Sequence, residues 1–229
     1  MKPKRRLFII VILAALVGLY LVVRVTGMLQ AFSIPTTSGR PNLDVGDQIW
    51  SSNLKKPKRY DLIVFNYYDS MMGKKLPRVH RLCGIPGDTI EIKNGDLYVN
   101  RQNTSGMFDI CIPYTASEQD GLKVNELLKL GDDNFFIYKN RAELILSSKQ
   151  LEQIKDLKVA VERKVIPKEE KEDLISRVYG QPWNNDHFGP IVVPANRYFV
   201  LGDNRHRSED SRYIGLVPID DFYGTVISK

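Results

Sequence analysis

The chain has 229 residues, with 33 Lys+Arg against 27 Asp+Glu and a formal net charge of +6. Its 43% hydrophobic and 26% charged residues are those of a globular protein and exclude a disordered or collagen-like one. Five of the 33 bases, Lys2, Lys4, Arg5, Arg6 and Arg24, fall in residues 1–24, where there is no acid, so residues 25–229 hold 28 bases against 27 acids. A body this close to neutral carries no electrostatic footprint for nucleic acid.

Residues 7–23 read LFIIVILAALVGLYLVV, without a charge. At about 1.5 Å per residue that is roughly 25 Å of helix, near the lower limit for crossing hydrocarbon of about 30 Å. Arg24 can snorkel, and the following apolar residues extend the span to 7–29. No small-x-small cleavage site follows, only Arg24 and the bulky GMLQAF, so an uncleaved anchor is expected rather than a removable leader. The bases before the span place a tail of residues 1–6 in the cytoplasm and the body beyond the cytoplasmic membrane, on its extracytoplasmic side.

The body is expected to be mainly β. DLIVFNYY (61–68), RVHRLCGI (78–85), DTIEIKNGDLYVN (88–100) and RYFVLGDN (197–204) all read as strands. Asn94-Gly95, between IEI and LYV, is a strong hairpin signal. Between about 104 and 186 the character changes to a charge-dense α/β insertion. Helices are expected near 123–130, over 148–157 with Ser147 or Ser148 as cap, and over 167–179, opened by Pro167 and closed by Gly180. The predicted organisation is a β-rich domain of residues 30–103 and 187–229 around that insertion.

Cys83 and Cys111 are too few for a disulfide framework, and free, half-buried thiols are the expectation. The three histidines, His80, His187 and His206, fall in no CxxC, HxxxH or HExxH spacing, so neither a metal nor a cofactor is expected.

Three stretches look unlike packing sequence. IPTTSGRPNLDVGD sets Ser38 among small residues just beyond the anchor, with a following Gly39 that permits unusual dihedrals; a serine in such a loop is also commonly just a turn. VHRLCGIPGDTIEI puts His80 on a strand, where a lone histidine is more often structural. The third, VPANRYFVLGDNRHRSEDSRYIGLVP, runs a strand into a loop crowded with polar residues, whose plain reading is an Asx-type turn with an Asp210/Arg212 ion pair.

Together the three resemble the type I signal peptidases, membrane-anchored serine proteases that remove signal peptides from exported proteins. The resemblance runs over nearly the whole chain: an anchor, a serine box (IPTTSGRPNL), a strand box (KRYDLIVFNYY), a base box (RVHRLCGIPGDTIEIKNGDLYVN), the approach HFGPIVVP and a late box, GDNRHRSEDSR with GLVP. The late box and IPGDTIEI are the specific matches, and the serine box is the weakest. The resemblance implies a signal-peptidase-like β-rich fold with Ser38 as nucleophile. It further implies oxyanion donors from the Thr36 hydroxyl and the Ser38 N–H, a base-orienting role for Ser208, an Asp210–Arg212 pair holding the late loop, and a turn at Gly202, Asp203 and Asn204. The expected partners are signal peptides of exported precursors and the lipid bilayer. Small side chains at the first and third positions before the cut would enter shallow apolar pockets, with Ile34, Pro35, Val45 and residues 62–65 as candidate walls.

Two departures stand out. Gly39 follows the serine where the bacterial enzymes usually have Met, which removes a bulky apolar side chain from the substrate-facing edge. His80 stands at the position of the general-base lysine. Imidazole titrates near 6.5 without help, whereas lysine must be strongly desolvated to act as a base near neutral pH. A histidine base needs an acceptor for its other nitrogen, for which Asp210 or Asp203 is expected, giving a Ser38-His80-Asp210 arrangement; Lys74 and Lys75 are the fallback bases. The main rival is a catalytically inactive relative that binds signal peptides or assists another peptidase. A self-cleaving repressor of related Ser-Lys fold is disfavoured by the anchor and the nearly neutral body, and a signalling receptor leaves the late box unexplained. Ser38 lies within about 45–50 Å of Arg24 even along a fully extended chain, so the serine must stay near the membrane surface.

Overall fold

The structure, a computed structural model, describes residues 3–70 and 72–229; Lys2 of the expected basic tail, with Met1, lies outside the described residues. Helix α1 (Pro3–Val25) carries the apolar run. Its 23 residues give about 35 Å, enough to cross a bilayer core. Its most apolar stretch has mean hydropathy 2.8 and is nowhere buried against the body. The helix differs from the expected 7–29 span at both ends. It takes in Lys4, Arg5 and Arg6, and it stops at Val25, before Gly27 turns to φ +72. The carbonyls of Thr26 and Met28 then accept from Asn53 Nδ2 (2.7 Å) and Ser52 Oγ (2.6 Å), while Gln30 Nε2 donates to the Arg24 carbonyl. Residues 26–29 therefore fasten the anchor to the body instead of lengthening the span.

Strand β1 (Gln30–Ser33) follows at once and pairs antiparallel with β2 (Gln48–Ser52), Ala31 opposite Trp50. Next come β3 (Leu62–Asp69) and β4 (Lys74–Gly84), paired with Ile63 opposite His80. The predicted hairpin is present as β5 (Thr89–Lys93) and β6 (Asp96–Val99), followed by the short β7 (Gln102–Asn103). Asn94 (φ 50) and Gly95 (φ 78) take the two positive dihedrals that a tight primed turn requires.

Strands β8 (Cys111–Ser117), β9 (Phe135–Tyr138), β10 (Arg141–Ser147) and β11 (Val161–Arg163) form a sheet in the order β11-β8-β10-β9. With α2 (Glu118–Leu128) and α3 (Ser148–Gln153), this sheet closes a core of its own around Ala116, Val124, Leu144, Leu146 and Ile154. Helix α2 starts earlier than expected because Ser117 caps it, accepting from Asp120 N. Ser147, not Ser148, caps α3, in a reciprocal capping box with Gln150.

Helix α4 (Asp173–Tyr179) begins at Asp173 rather than at Pro167. Asn184 Nδ2 donates to the carbonyls of Pro167 (2.8 Å) and Glu170 (2.5 Å), which holds the intervening segment in turns. Gly180, at φ +67, ends the helix as expected. Ile175 and Tyr179 of α4 pack with Ile90, Leu97, Phe188 and Phe199, joining the core of the sheet β12-β5-β6-β7, where β12 is Phe188–Val192.

The remaining elements are β13 (Arg197–Leu201), α5 (Ser211–Ile214), β14 (Val217–Pro218) and β15 (Phe222–Ser228). The large sheet runs β1-β2-β15-β3-β4-β13-β14, so the fold is mainly β. Its central strands are covered on both faces: Ile63 and Phe65 join one cluster, Val64 the other. Both cysteines are free, and both are buried rather than half-buried; burial pushes each thiol up to about 12.

Loss of the α3 cap is testable in the full chain in detergent. Ser147→Ala removes the side-chain half of the capping box and should lower unfolding stability by about 1 kcal/mol, read from the urea midpoint.

Candidate active site

Strand β1 runs through Ile34 and Pro35 into a single 3-10 turn, Thr37–Gly39, which presents Ser38 half-buried. Thr36 precedes the turn in extended conformation, and its Oγ1 lies 3.0 Å from Ser38 Oγ. The turn is clamped from the late loop: Asn204 donates from Nδ2 to the Thr37 carbonyl (3.2 Å) and from its backbone N to the Ser38 carbonyl (3.0 Å). Gly39 does not play the expected part. Its φ is not positive, it is buried, and a Cβ there would meet Leu43 Cβ at 2.8 Å. The missing side chain would point into the packing under the turn, not toward a substrate.

His80, on β4, is 5% exposed and packs against Phe65, ring centroids 5.7 Å apart. Its Nε2 lies 3.2 Å from the Glu209 carbonyl, and its buried Nδ1 has no partner. Burial holds the imidazole below its ordinary pKa, opposed by the nearby Asp210 charge and the Glu209 carbonyl. No hydrogen bond joins Ser38 Oγ to either ring nitrogen. The two side chains instead line one groove of about 540 Å³. Phe32, Ile34 and Pro35 form its β1 side, and Leu76, Pro77 and Val79 of β4 the other; Arg78, Arg207 and Glu209 add charge.

Several expected contacts are replaced. Val45 is 51% exposed and is no part of the groove. Ile63, Val64 and Phe65 are wholly buried, because β3 lies inside the sheet between β15 and β4, so the wall comes from the first half of β4. Lys75 pairs with Asp221 beside a different cavity, Lys74 is exposed, and no lysine lines the groove.

The late loop leaves β13 and returns over the site. Asp210 accepts from Arg212 Nε (2.9 Å), Arg212 Nη2 (2.7 Å) and Gly202 N (3.0 Å), with both members of the pair essentially inaccessible. Burial would raise this carboxyl, but the Arg212 guanidinium outweighs it and holds the group below the usual range. Arg212 also donates to the carbonyls of Asn185 (3.2 Å) and Arg205 (2.6 Å). Asp203 takes Arg81 through two bonds, 2.7 and 2.5 Å, and Asn42 Nδ2 at 2.8 Å. With both carboxylates engaged in this way, neither serves as the hydrogen-bond acceptor for His80; the acceptor is the Glu209 carbonyl. Ser208 Oγ is buried without a partner, and Gly202 makes room for it: a Cβ there would stand 2.0 Å from that oxygen and 2.9 Å from the Ser38 carbonyl.

Sequence reasoning missed Arg78 and Glu209. Strand alternation places Arg78 on the His80 face and was the available signal; a main-chain carbonyl leaves none. Among the described residues no group of three or more His, Cys, Asp or Glu is arranged to hold a metal.

The family model for signal peptidases, peptidase S26, matches residues 5–229. The chain is 30% identical over 224 residues to signal peptidase I of Buchnera aphidicola subsp. Baizongia pistaciae, covering 88% of this chain and 69% of that one. It is 30% identical over 206 residues to signal peptidase I of Aquifex aeolicus, covering 85% and 73%. The crystal structure of a signal peptidase I from Enterococcus faecalis aligns with 76% of this chain and 98% of its own, at 21% identity and a TM-score of 0.37, too distant a likeness to place any residue.

Asp210→Ala would strand a buried guanidinium. It should cost about 3–5 kcal/mol, measured as a fall in the urea midpoint of the full chain.

Proposed function

The chain belongs to the peptidase S26 family of signal peptidases, and from that membership we propose a membrane-anchored serine endopeptidase that removes N-terminal signal peptides from exported precursors, with Ser38 as nucleophile and His80 as general base. The observation that supports this most directly is one groove lined by Ser38 and His80, with the Thr36 hydroxyl 3.0 Å from the nucleophile. Ser38 Oγ turns from Thr36 toward the imidazole, gives up its proton and attacks the scissile carbonyl. The released Thr36 hydroxyl and the Ser38 N–H then donate to the tetrahedral oxyanion. Collapse expels the amine of the mature protein, which takes the proton from His80 and leaves the signal peptide as an ester on Ser38. Water, deprotonated by His80, hydrolyses that ester and restores the serine.

The apolar groove walls suit small side chains at the first and third positions before the cut. Ser208, Asp210 and Arg212 support the site from the late loop. Residues 30–103 and 187–229 form the catalytic part, with 104–186 as an insertion whose α4 packs into the core of that part while its sheet of residues 111–163 keeps a core of its own. The bases ahead of the apolar run keep the N-terminus cytoplasmic and put the groove on the extracytoplasmic side of the inner membrane. Trp50 and Leu54, and Ile227 on the strand beside β2, are exposed near the foot of the anchor, where a bilayer surface would cover them.

A second reading, a relative that binds signal peptides without cutting them, is favoured by the absent Ser38–His80 hydrogen bond. Incubating the detergent-solubilised chain with a precursor peptide separates the two. Cleavage that disappears in Ser38→Ala supports the peptidase, and no cleavage at any pH supports the binder. Thr36→Val should lower kcat about 10²–10³-fold, and Lys75→Ala should leave it unchanged. Cleavage requires neutral His80, whose pKa is lowered by burial. The kcat/KM should therefore fall as pH drops through a value below about 6.5 and stay level above it; a profile rising only at alkaline pH would instead indicate a lysine base.

A further inference from the structure

We infer that His80 takes the serine proton at Nδ1, and that the main-chain carbonyl of Glu209, held by Arg78, is the orienting acceptor behind it. The inference rests on the reading of His80 as general base and specifies how that base is built. A carbonyl oxygen only accepts, so Nε2, 3.2 Å from the Glu209 oxygen, must carry the ring proton. The lone pair of the neutral ring is then on Nδ1.

Nδ1 is buried and unpartnered in the resting site. A buried acceptor left unpaired is costly and calls for an explanation, and a serine hydroxyl arriving in the working state supplies one. Other acceptors are engaged: Asp210 holds Arg212 and Gly202 N, and Asp203 holds Arg81 and Asn42.

The carbonyl is itself fixed. Arg78 Nη1 lies 2.8 Å from Glu209 Oε2 and 3.3 Å from the same carbonyl that binds the imidazole. The guanidinium lies over the Tyr67 ring at 4.3 Å. Arg78 and His80, two residues apart on β4, thus grip one peptide group of the late loop. Unlike the carboxylate of a Ser-His-Asp triad, this acceptor is neutral. The charged groups bearing on His80 are Asp210 and Asp203, which favour the imidazolium, and Arg78, which opposes it, while β3 contributes the apolar Phe65.

Arg78 and Glu209 are positioning residues, and two readouts test them. With ¹⁵N-labelled histidine in the full chain, above the pH where His80 titrates, the His80 signal, assigned by its loss in His80→Gln, should show the Nε2–H tautomer; Nδ1–H overturns the inference. Arg78→Gln should lower kcat about tenfold, a part of the 10²–10⁴ typical of general-base catalysis. It should also move the acidic limb of the profile to higher pH, because a positive charge beside the ring is gone. Arg78→Lys should return the limb toward its original position and recover part of kcat. An unchanged limb and kcat in Arg78→Gln overturn the role of Arg78. If His80→Gln still cleaves at the wild-type rate, the underlying reading of His80 fails instead. The tautomer is read on the unaltered chain, so it stands as a test even if the Arg78 variants do not fold.

Discussion

The late loop puts formal charges where water does not reach, and the rest of the site depends on pairing them there. Asp203, Arg205, Asp210 and Arg212 are all 4% exposed or less. An unpaired ion in such a place costs several kcal/mol, so the loop is confined to conformations in which partners meet. Asp210 closes on Arg212 within the loop, and Asp203 reaches across to Arg81 of β4. Asn42 ties Asp203 and the Asp109 carbonyl to the serine loop. Arg205, whose Nε has no partner, is the member of the group left least satisfied, and burial lowers its pKa accordingly.

This pairing brings together segments far apart in the chain. Asn204 clamps the carbonyls beneath Ser38, Glu209 receives the imidazole of His80, and Gly202 leaves the space that Ser208 fills. The serine turn and β4 are thus referenced to a common backbone rather than to each other. That arrangement accounts for a groove that Ser38 and His80 both line without a hydrogen bond between them: each is held from behind by the loop.

The anchor imposes the other constraint. The helix passes into β1 through a hydrogen-bonded turn, and β1 pairs with β2 before the serine turn begins. Ser38 is therefore set by sheet geometry at a defined place relative to the helix end. The sheet of residues 111–163 keeps its own core and meets the late loop through Cys111, whose backbone bonds Asp203 and Arg205, and through Phe136, over whose ring Arg207 lies at 4.8 Å.

What the chain determines locally was readable from residues alone. A charge-free run bounded by bases specifies a spanning helix because hydrocarbon length is fixed, and alternating β-branched residues around Asn94-Gly95 specify a hairpin because the turn needs two positive dihedrals. The late box, read as a whole, pointed to the family and hence to Ser38 and His80. Tertiary structure decided the rest. Residues 167–172 turn instead of coiling because Asn184, distant in sequence, takes their carbonyls. Val45 falls away from the groove and Leu76, Pro77 and Val79 replace it, since which strand faces a cleft depends on sheet order, which no single strand encodes. The acceptor for His80 is a main-chain carbonyl because both nearby carboxylates are already committed to buried arginines. Residue type says what a side chain can do, but competition among buried partners, settled only when the segments meet, decides what it does.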